Sequence, residues 1–267
     1  TDGTPARLPL SLNMHTGNAF TVRFIPRPKS MGKMHELEEH LNYIKTRGVP
    51  NFYGVQRFGD RGVNHIVGKA LVLRMPELAA KVWLTDFCYE SEVGSFNRKN
   101  WGDWEKCAIH ASIDGGWQAE TFFSTLAKNR GDFLGAFGTV PLGRFFVRSY
   151  ASYIFNTALS ELVHRKTDLS DAVLPMVGYG TSIRSMPATY KKVLLEERVH
   201  PKMFKFDDCE SISNYGSQRD AMVRPKHTGL SRCGPKKWNL SFSLGCGSFA
   251  TVVLRFLFDY RWNSLRV

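Results

Sequence analysis

The stretch NFYGVQRFG, Asn51 to Gly59, decides how the rest of the chain is read. Nine residues hold an Asn, a Gln, an Arg, three aromatic rings and two glycines, and they follow a helix end marked by Gly48 and Pro50. A plain surface loop has no use for Phe52, Tyr53 and Phe58. A plain core segment has no use for Asn51, Gln56 and Arg57. The mixture suits the wall of a pocket for something flat and polar.

The surroundings say what that could be. The chain has 267 residues, 43% of them hydrophobic and 13% aromatic, enough for a buried core in one or two domains. Net charge is +12 and the pI about 9.6. Lys and Arg that neutralise phosphates release condensed counterions, so this balance points to a polyanionic partner, nucleic acid first. Five widely spaced cysteines, Cys88, Cys107, Cys209, Cys233 and Cys246, form no CxxC pair. That argues against a zinc site or disulfide framework and for a reducing intracellular compartment, mitochondrial or cytoplasmic. No apolar run approaches a membrane span, so no membrane partner is expected. The chain opens on TDGTPARLPL without a starting Met or a signal peptide, which fits a fragment, a processed form, or only the ordered part of something longer.

Working outward from the loop, β-forming residues predict a strand over Ala19–Ile25. Met34, Leu37, Leu41 and Ile44 share one helical face, with Gly48 as the residue that ends the helix. GVNHIVGKALVL reads as a second helix. Residues 84–116 are irregular, but Trp101, Trp104 and Trp117 predict a structured insertion rather than disorder. QAETFFSTLAKN, FFVRSYASYIFNTALSELVHRK and MPATYKKVLLEER read as helices, the last with Pro187 near its first turn. NYGSQRDAMVRPKHTGLSRCGPKKW carries six Lys or Arg against one Asp and predicts a basic loop or ribbon. WNLSFSLG reads as a strand and SFATVVLRFLFDY as a closing helix. Strands towards both ends with helices between them make an α+β fold with a helical insert. No internal repeat is visible.

GCGSFA, Gly245 to Ala250, matches the GxGxxA dinucleotide fingerprint, but only 17 residues follow Ala250. No second strand and no acidic partner can complete that unit, and the glycines read instead as a tight turn bringing Phe249 close to a ligand. The eight histidines show no HxxxH or HExxH spacing, so no metal site is expected. Ser152 and Asn156, one turn apart on the long helix, either face a cleft or serve helix packing. The opening loop, the basic stretch around Arg219 to Lys237 and GSFAT share a theme. Amides can read a base edge, rings can stack a base for about 1–3 kcal/mol, and cations can hold phosphates. Together they describe a pocket for a nucleotide taken out of its stack.

Six stretches, in order, resemble the TruD-type pseudouridine synthases. TRGVPNFYGVQRFGDRGVN is similar to the family's GVPNYFGxQRFG signature, and HTGNAFTVRF to its KGNxF strand. SYASYIFN resembles QSYLFN, and VLPMVGYGT resembles LPGY. YGSQRDAMVRPK resembles GSRRxxxxxP, and FSLGCGSFATVVLR resembles LPxGSYATxxLRE. The likeness runs from about residue 8 to 256. It implies an RNA uridine isomerase without a cofactor, in which an Asp attacks the target uridine, the base turns, and C5 rejoins the ribose. By position, Asn51 and Tyr53 would line the substrate pocket and Phe249 would contact the flipped base, so Tyr53 and Phe249 are expected to share one cavity. Arg57, Arg219, Arg224, Lys226, Lys236 and Lys237 are the expected RNA contacts.

The implied fold is a bipartite pseudouridine-synthase catalytic domain, 1–75 and 236–267, interrupted by a mostly helical TRUD insertion domain, 76–235. The family's nucleophile sits in a GxKDxxAxT motif before the KGNxF strand, and no residue here matches it. Asp60, in GDRGVNHI, follows QRFG directly, where the family has only a turn, and is not assigned as catalytic. Tyr53 stands where the family usually has Phe, Ala151 where it has Gln, and Phe256 where it has Glu. Two readings follow. One is a synthase acting on structured RNA, tRNA or rRNA, with its Asp upstream of Thr1. The other is a non-catalytic RNA-binding relative working in a ribonucleoprotein such as a maturing ribosome.

Overall fold

The structure is a computed structural model that describes residues 16–27, 34–85 and 91–258. His15 of the HTGNAF stretch, the first residues of MGKMHELEEH, Cys88 and its neighbours in the irregular segment, and Asp259 and Tyr260 of the closing helix lie outside the described residues. In chain order the elements are β1 (Gly17–Phe24), α1 (Met34–Arg47), β2 (Val49–Pro50), a 3-10 turn (Val55–Arg57), α2 (Asn64–Val72), α3 (Pro76–Leu84), α4 (Glu92–Lys99) and α5 (Trp104–His110). A π turn (Ala111–Gly115), α6 (Trp117–Lys128), α7 (Phe133–Gly138), α8 (Pro141–His164), β3 (Val173–Met176) and α9 (Ala188–Glu196) follow. The chain ends in β4 (Ser217–Asp220), β5 (Met222–Val223), β6 (Lys226–Gly234), β7 (Lys237–Gly245) and α10 (Ala250–Phe258). Helices and antiparallel strands segregate, and the fold is α+β. None of the described helices is long and apolar enough to cross a membrane.

The chain divides into two compact units. The first comprises Thr1–Phe52, Asp168–Ala172 and Asp220–Val267. Its sheet has the order β1-β7-β6. β1 and β7 pair antiparallel from Gly17↔Gly245 to Phe24↔Trp238, so the two ends of the sequence meet in one ladder. β7 buries Leu240, Phe242 and Leu244 at every second position, as a strand with one face on a core must. Phe20 stacks on Phe242 across the pair, ring centres 5.4 Å apart. Leu41 and Ile44 of α1 and Val253 and Leu257 of α10 close the same core. Each such side chain removes apolar surface worth roughly 1.5–3 kcal/mol. The expected basic ribbon exists: it is β6, hairpinned to β7 through the Gly234–Lys237 turn.

The second unit, Tyr53–Thr167 with Val173–Arg219, is mostly helical. α8 runs 24 residues, opens with Pro141 in its first turn, and is buried almost all round, the mark of a central helix. α2 packs directly on it. A Cβ on Gly68 would stand 2.0 Å from the Phe146 carbonyl oxygen, so only glycine allows that approach. Phe122, Phe137, Phe146 and Trp83 form an edge-to-face cluster beside it.

The segment that reads as irregular, 84–116, carries two helices and a π turn in its described part. Trp101 and Trp104 pack edge to face at 5.1 Å and against Phe133, which agrees with a structured insertion. Its short helices escape periodicity because each has only two turns, but their starts are marked in sequence. Ser91 Oγ accepts the Gly94 N–H at 3.0 Å, and Asp103 Oδ1 accepts the Lys106 N–H at 3.2 Å.

Candidate functional site: the Asn51–Gly59 loop

The loop begins where α1 is forced to stop. Gly48 takes φ 77°, and its N–H still reaches the Ile44 carbonyl at 2.9 Å. β2 then pairs with β5, Val49 opposite Val223. Asn51, 5% exposed, continues this pairing: its backbone N–H donates to the Ala221 carbonyl at 2.8 Å and its Nδ2 to the Asp220 carbonyl at 3.0 Å. The Asn51 amide therefore grips the chain of its own unit, one of its N–H groups donating to the Asp220 carbonyl.

From Tyr53 onward the loop is held by one face of α8. The Tyr53 N–H donates to Asn156 Oδ1 at 2.9 Å, and Asn156 Nδ2 donates back to the Tyr53 carbonyl at 3.1 Å. Arg57 Nε donates to Ser152 Oγ at 3.0 Å, and Ser149 Oγ donates to the Arg57 carbonyl at 3.0 Å. Ser149, Ser152 and Asn156 lie three and four residues apart, so they share a helix face, and all are at most 1% exposed. Between a cleft and helix packing, the structure gives Ser152 and Asn156 a third task, which is fixing the loop. Phe58 turns inward, 6% exposed, with its ring 5.3 Å from that of His65. It is a core residue of the loop's base.

The Tyr53 ring is ringed by cations. The Arg219 guanidinium carbon lies 4.1 Å from the ring centre and that of Arg57 lies 5.5 Å away. Phe155 meets the Tyr53 ring edge-on at 5.8 Å, and Arg57 also covers Phe145 at 4.9 Å. Burial, and then the like charges of Arg148 and Arg219, lower the Arg57 pKa, while Tyr53 opposes them. Among the described residues no carboxylate forms an ion pair with Arg57 or Arg148. Arg57 and Arg219, both over the Tyr53 ring, with the Arg148 charge felt by Arg57, make a strongly positive setting that suits an anion with several oxygens. Arg148, exposed on α8, carries no signal of its own in the sequence; it lies one position before Ser149 in the helix that fixes the loop.

The other expected residues lie in the first unit. Phe249 sits at the start of α10, half-buried, and its carbonyl accepts the Val252 and Val253 N–H groups; Gly247 just before it takes φ 78°, the tight turn expected there. Arg224 is structurally engaged: it donates to the Ser170 carbonyl at 2.8 Å and the Thr46 carbonyl at 3.4 Å, and it pairs with Asp171 at 3.7 Å. Lys226, Lys236 and Lys237 are exposed, but Lys226 stands opposite Ser243 at one end of the hairpin and Lys237 opposite Gly234 at the other. The basic stretch is thus dispersed along a ribbon. Asp60 is exposed in a turn.

An α+β chain whose terminal strands share one sheet, with a helical unit fixing an aromatic-rich loop from Tyr53 onward, is the class these observations define. The sequence profile described as tRNA pseudouridine synthase D (TruD) matches residues 4–174 and 171–257, and the chain belongs to that family. A Methanopyrus kandleri protein named probable tRNA pseudouridine synthase D is 31% identical over 264 residues, covering 91% of this chain and 66% of its own. A Methanosarcina acetivorans protein of the same name is 29% identical over 297 residues, with 90% and 67% covered. The crystal structure of a Methanosarcina mazei protein that carries the TruD name superposes with a TM-score of 0.70 at 25% identity, covering 91% of this chain and 68% of that one. The chain spans about two thirds of the length of the relatives it matches.

Proposed function

We propose that this chain forms the RNA-binding and uridine-recognising part of a TruD-type pseudouridine synthase that isomerises uridine in tRNA. The observation that carries the reading is the loop NFYGVQRFG locked at both backbone groups of Tyr53 by Asn156, in a chain of this family. A loop that must hold a base against thermal motion needs such fixing, because catalytic geometry is lost when positioning groups wander. In this reading 1–75 and 236–267 belong to the catalytic domain and 76–235 to the insertion domain. Asn51 shapes the pocket from its backbone-bound position, while Tyr53 and Phe249 contact the uridine. Arg57, Arg148 and Arg219 hold phosphates beside Tyr53, and Lys226, Lys236 and Lys237 are further RNA contacts. The curated relatives named as tRNA enzymes support tRNA as the substrate.

The chemistry asks for a nucleophile to open the glycosidic bond, and no Asp of this sequence stands in the family's motif. Residues 1–267 are therefore expected to bind tRNA and to release no tritium from tRNA labelled at uridine C5. Turnover above background would make Asp60 or another acid of this chain the nucleophile and overturn that assignment. Failure to bind tRNA at low salt would overturn the reading as a whole.

A further inference from the structure

We infer that a cavity between α3, α4 and the start of α6 is a second binding site, for a single unpaired nucleobase seated on the indole of Trp117. The inference rests on the reading of the chain as RNA-binding. The cavity measures about 350 Å³ and lies wholly within the helical unit. That is near the small end of ligand pockets, roughly 300–1,000 Å³, and suits one base rather than a stacked run.

Its walls have the mixed character of a base site. Trp117 is 60% exposed and lines the cavity, and its indole packs on no other aromatic ring among the described residues. A large exposed indole beside a cavity is unusual for surface packing and natural for stacking, since every base has a π-face. Gly116 before it takes φ 77°, and a Cβ there would meet nothing within 4 Å. Asn97, which also lines the cavity, is 1% exposed. Its Nδ2 donates to the Leu84 carbonyl at 2.8 Å, but its buried Oδ1 accepts no hydrogen bond. Buried carbonyls are nearly always paired, so this one calls for a donor such as a base amino or ring N–H. Arg61, which donates to the Trp83 carbonyl at 2.6 Å, and Asp114, which lies 3.9 Å from His110, also line the cavity and give it one positive and one negative group. An exposed indole and an unfilled acceptor beside one cavity together describe a nucleobase site. Neither the family match nor the Asn51–Gly59 loop accounts for them.

Binding to two labelled RNA hairpins, one fully paired and one with a single bulged adenosine, tests this by fluorescence anisotropy. Wild type is expected to prefer the bulged hairpin. Trp117→Ala is expected to weaken the bulged hairpin at least tenfold and to leave the paired one unchanged. Val93→Trp, which fills the cavity from a half-buried wall position, is expected to do the same, with unchanged thermal melts showing that both variants fold. Adenosine monophosphate that displaces the bulged hairpin would assign the site to a free nucleotide; no displacement assigns it to a base of the RNA. Equal affinity of wild type and both variants for the bulged hairpin overturns the inference, even where tRNA still binds. Loss of all tRNA binding in wild type would instead overturn the functional reading beneath it.

Discussion

Asn156 satisfies both backbone groups of Tyr53 from a position 103 residues away. Removing it takes these hydrogen bonds from a partly buried N–H and carbonyl, a cost of about 1–3 kcal/mol per group. Asn156→Ala is therefore expected to lower the denaturation midpoint and to weaken tRNA binding, although Asn156 itself need not touch RNA. Unchanged stability and binding would mean the loop holds its shape without α8. His65 makes a second residue-scale prediction. Its ring stacks on Tyr153 at 4.8 Å and its buried Nδ1 has no partner. Burial lowers its pKa from the ordinary 6.5, with Lys69 lowering it further and Glu197 opposing. The unfolded chain thus takes up the proton first as pH falls. The stability is fully present above about pH 6.5 and declines below it. Denaturation midpoints measured across that range should show this decline, and His65→Gln should flatten it. Serine and asparagine spacing in SYASYIFN was legible as one helix face, but sequence does not show what a face meets, so the gripping role appears only in the fold.

At the scale of elements, strong periodic segments were legible and short capped ones were not. α1 and α8 follow from their apolar spacing and β7 from its alternation, whereas α4, α5 and α7 are too short for a repeat and are marked only by Ser91, Asp103 and Asp132 at their N-caps. The basic stretch was legible as a ribbon, but its charges were not legible as separate in role. Arg224 ties Ser170 and Thr46 together, so Arg224→Ala is expected to cost stability first. Lys236 and Lys237 stand exposed at the hairpin turn. Changing both to Glu should leave the melting temperature nearly unchanged and flatten log affinity for tRNA against log salt, by about 0.9 for each phosphate no longer neutralised. An unchanged slope would place the RNA path away from this hairpin.

On the scale of the whole molecule, one ladder decides the fold: β1 near residue 17 pairs with β7 near residue 245, and the rest of the described chain runs between those two strands in sequence, apart from α10 and the turn before it. Strands at both ends with helices between were visible in the sequence, and ordered family signatures extended that reading across most of the chain. The register of the ladder was not visible, because it depends on pairings between residues far apart in sequence. The central claim is that Asn51–Gly59 is a wall of the uridine site. Photo-crosslinking tests it without requiring turnover: tRNA carrying 4-thiouridine in place of uridine is irradiated with residues 1–267, and the attached peptides are mapped by mass spectrometry. A crosslink to Tyr53 or its neighbours in Asn51–Gly59 is expected, abolished when unlabelled tRNA competes. Crosslinks confined to other segments, with tRNA bound and this loop unmarked, would contradict it.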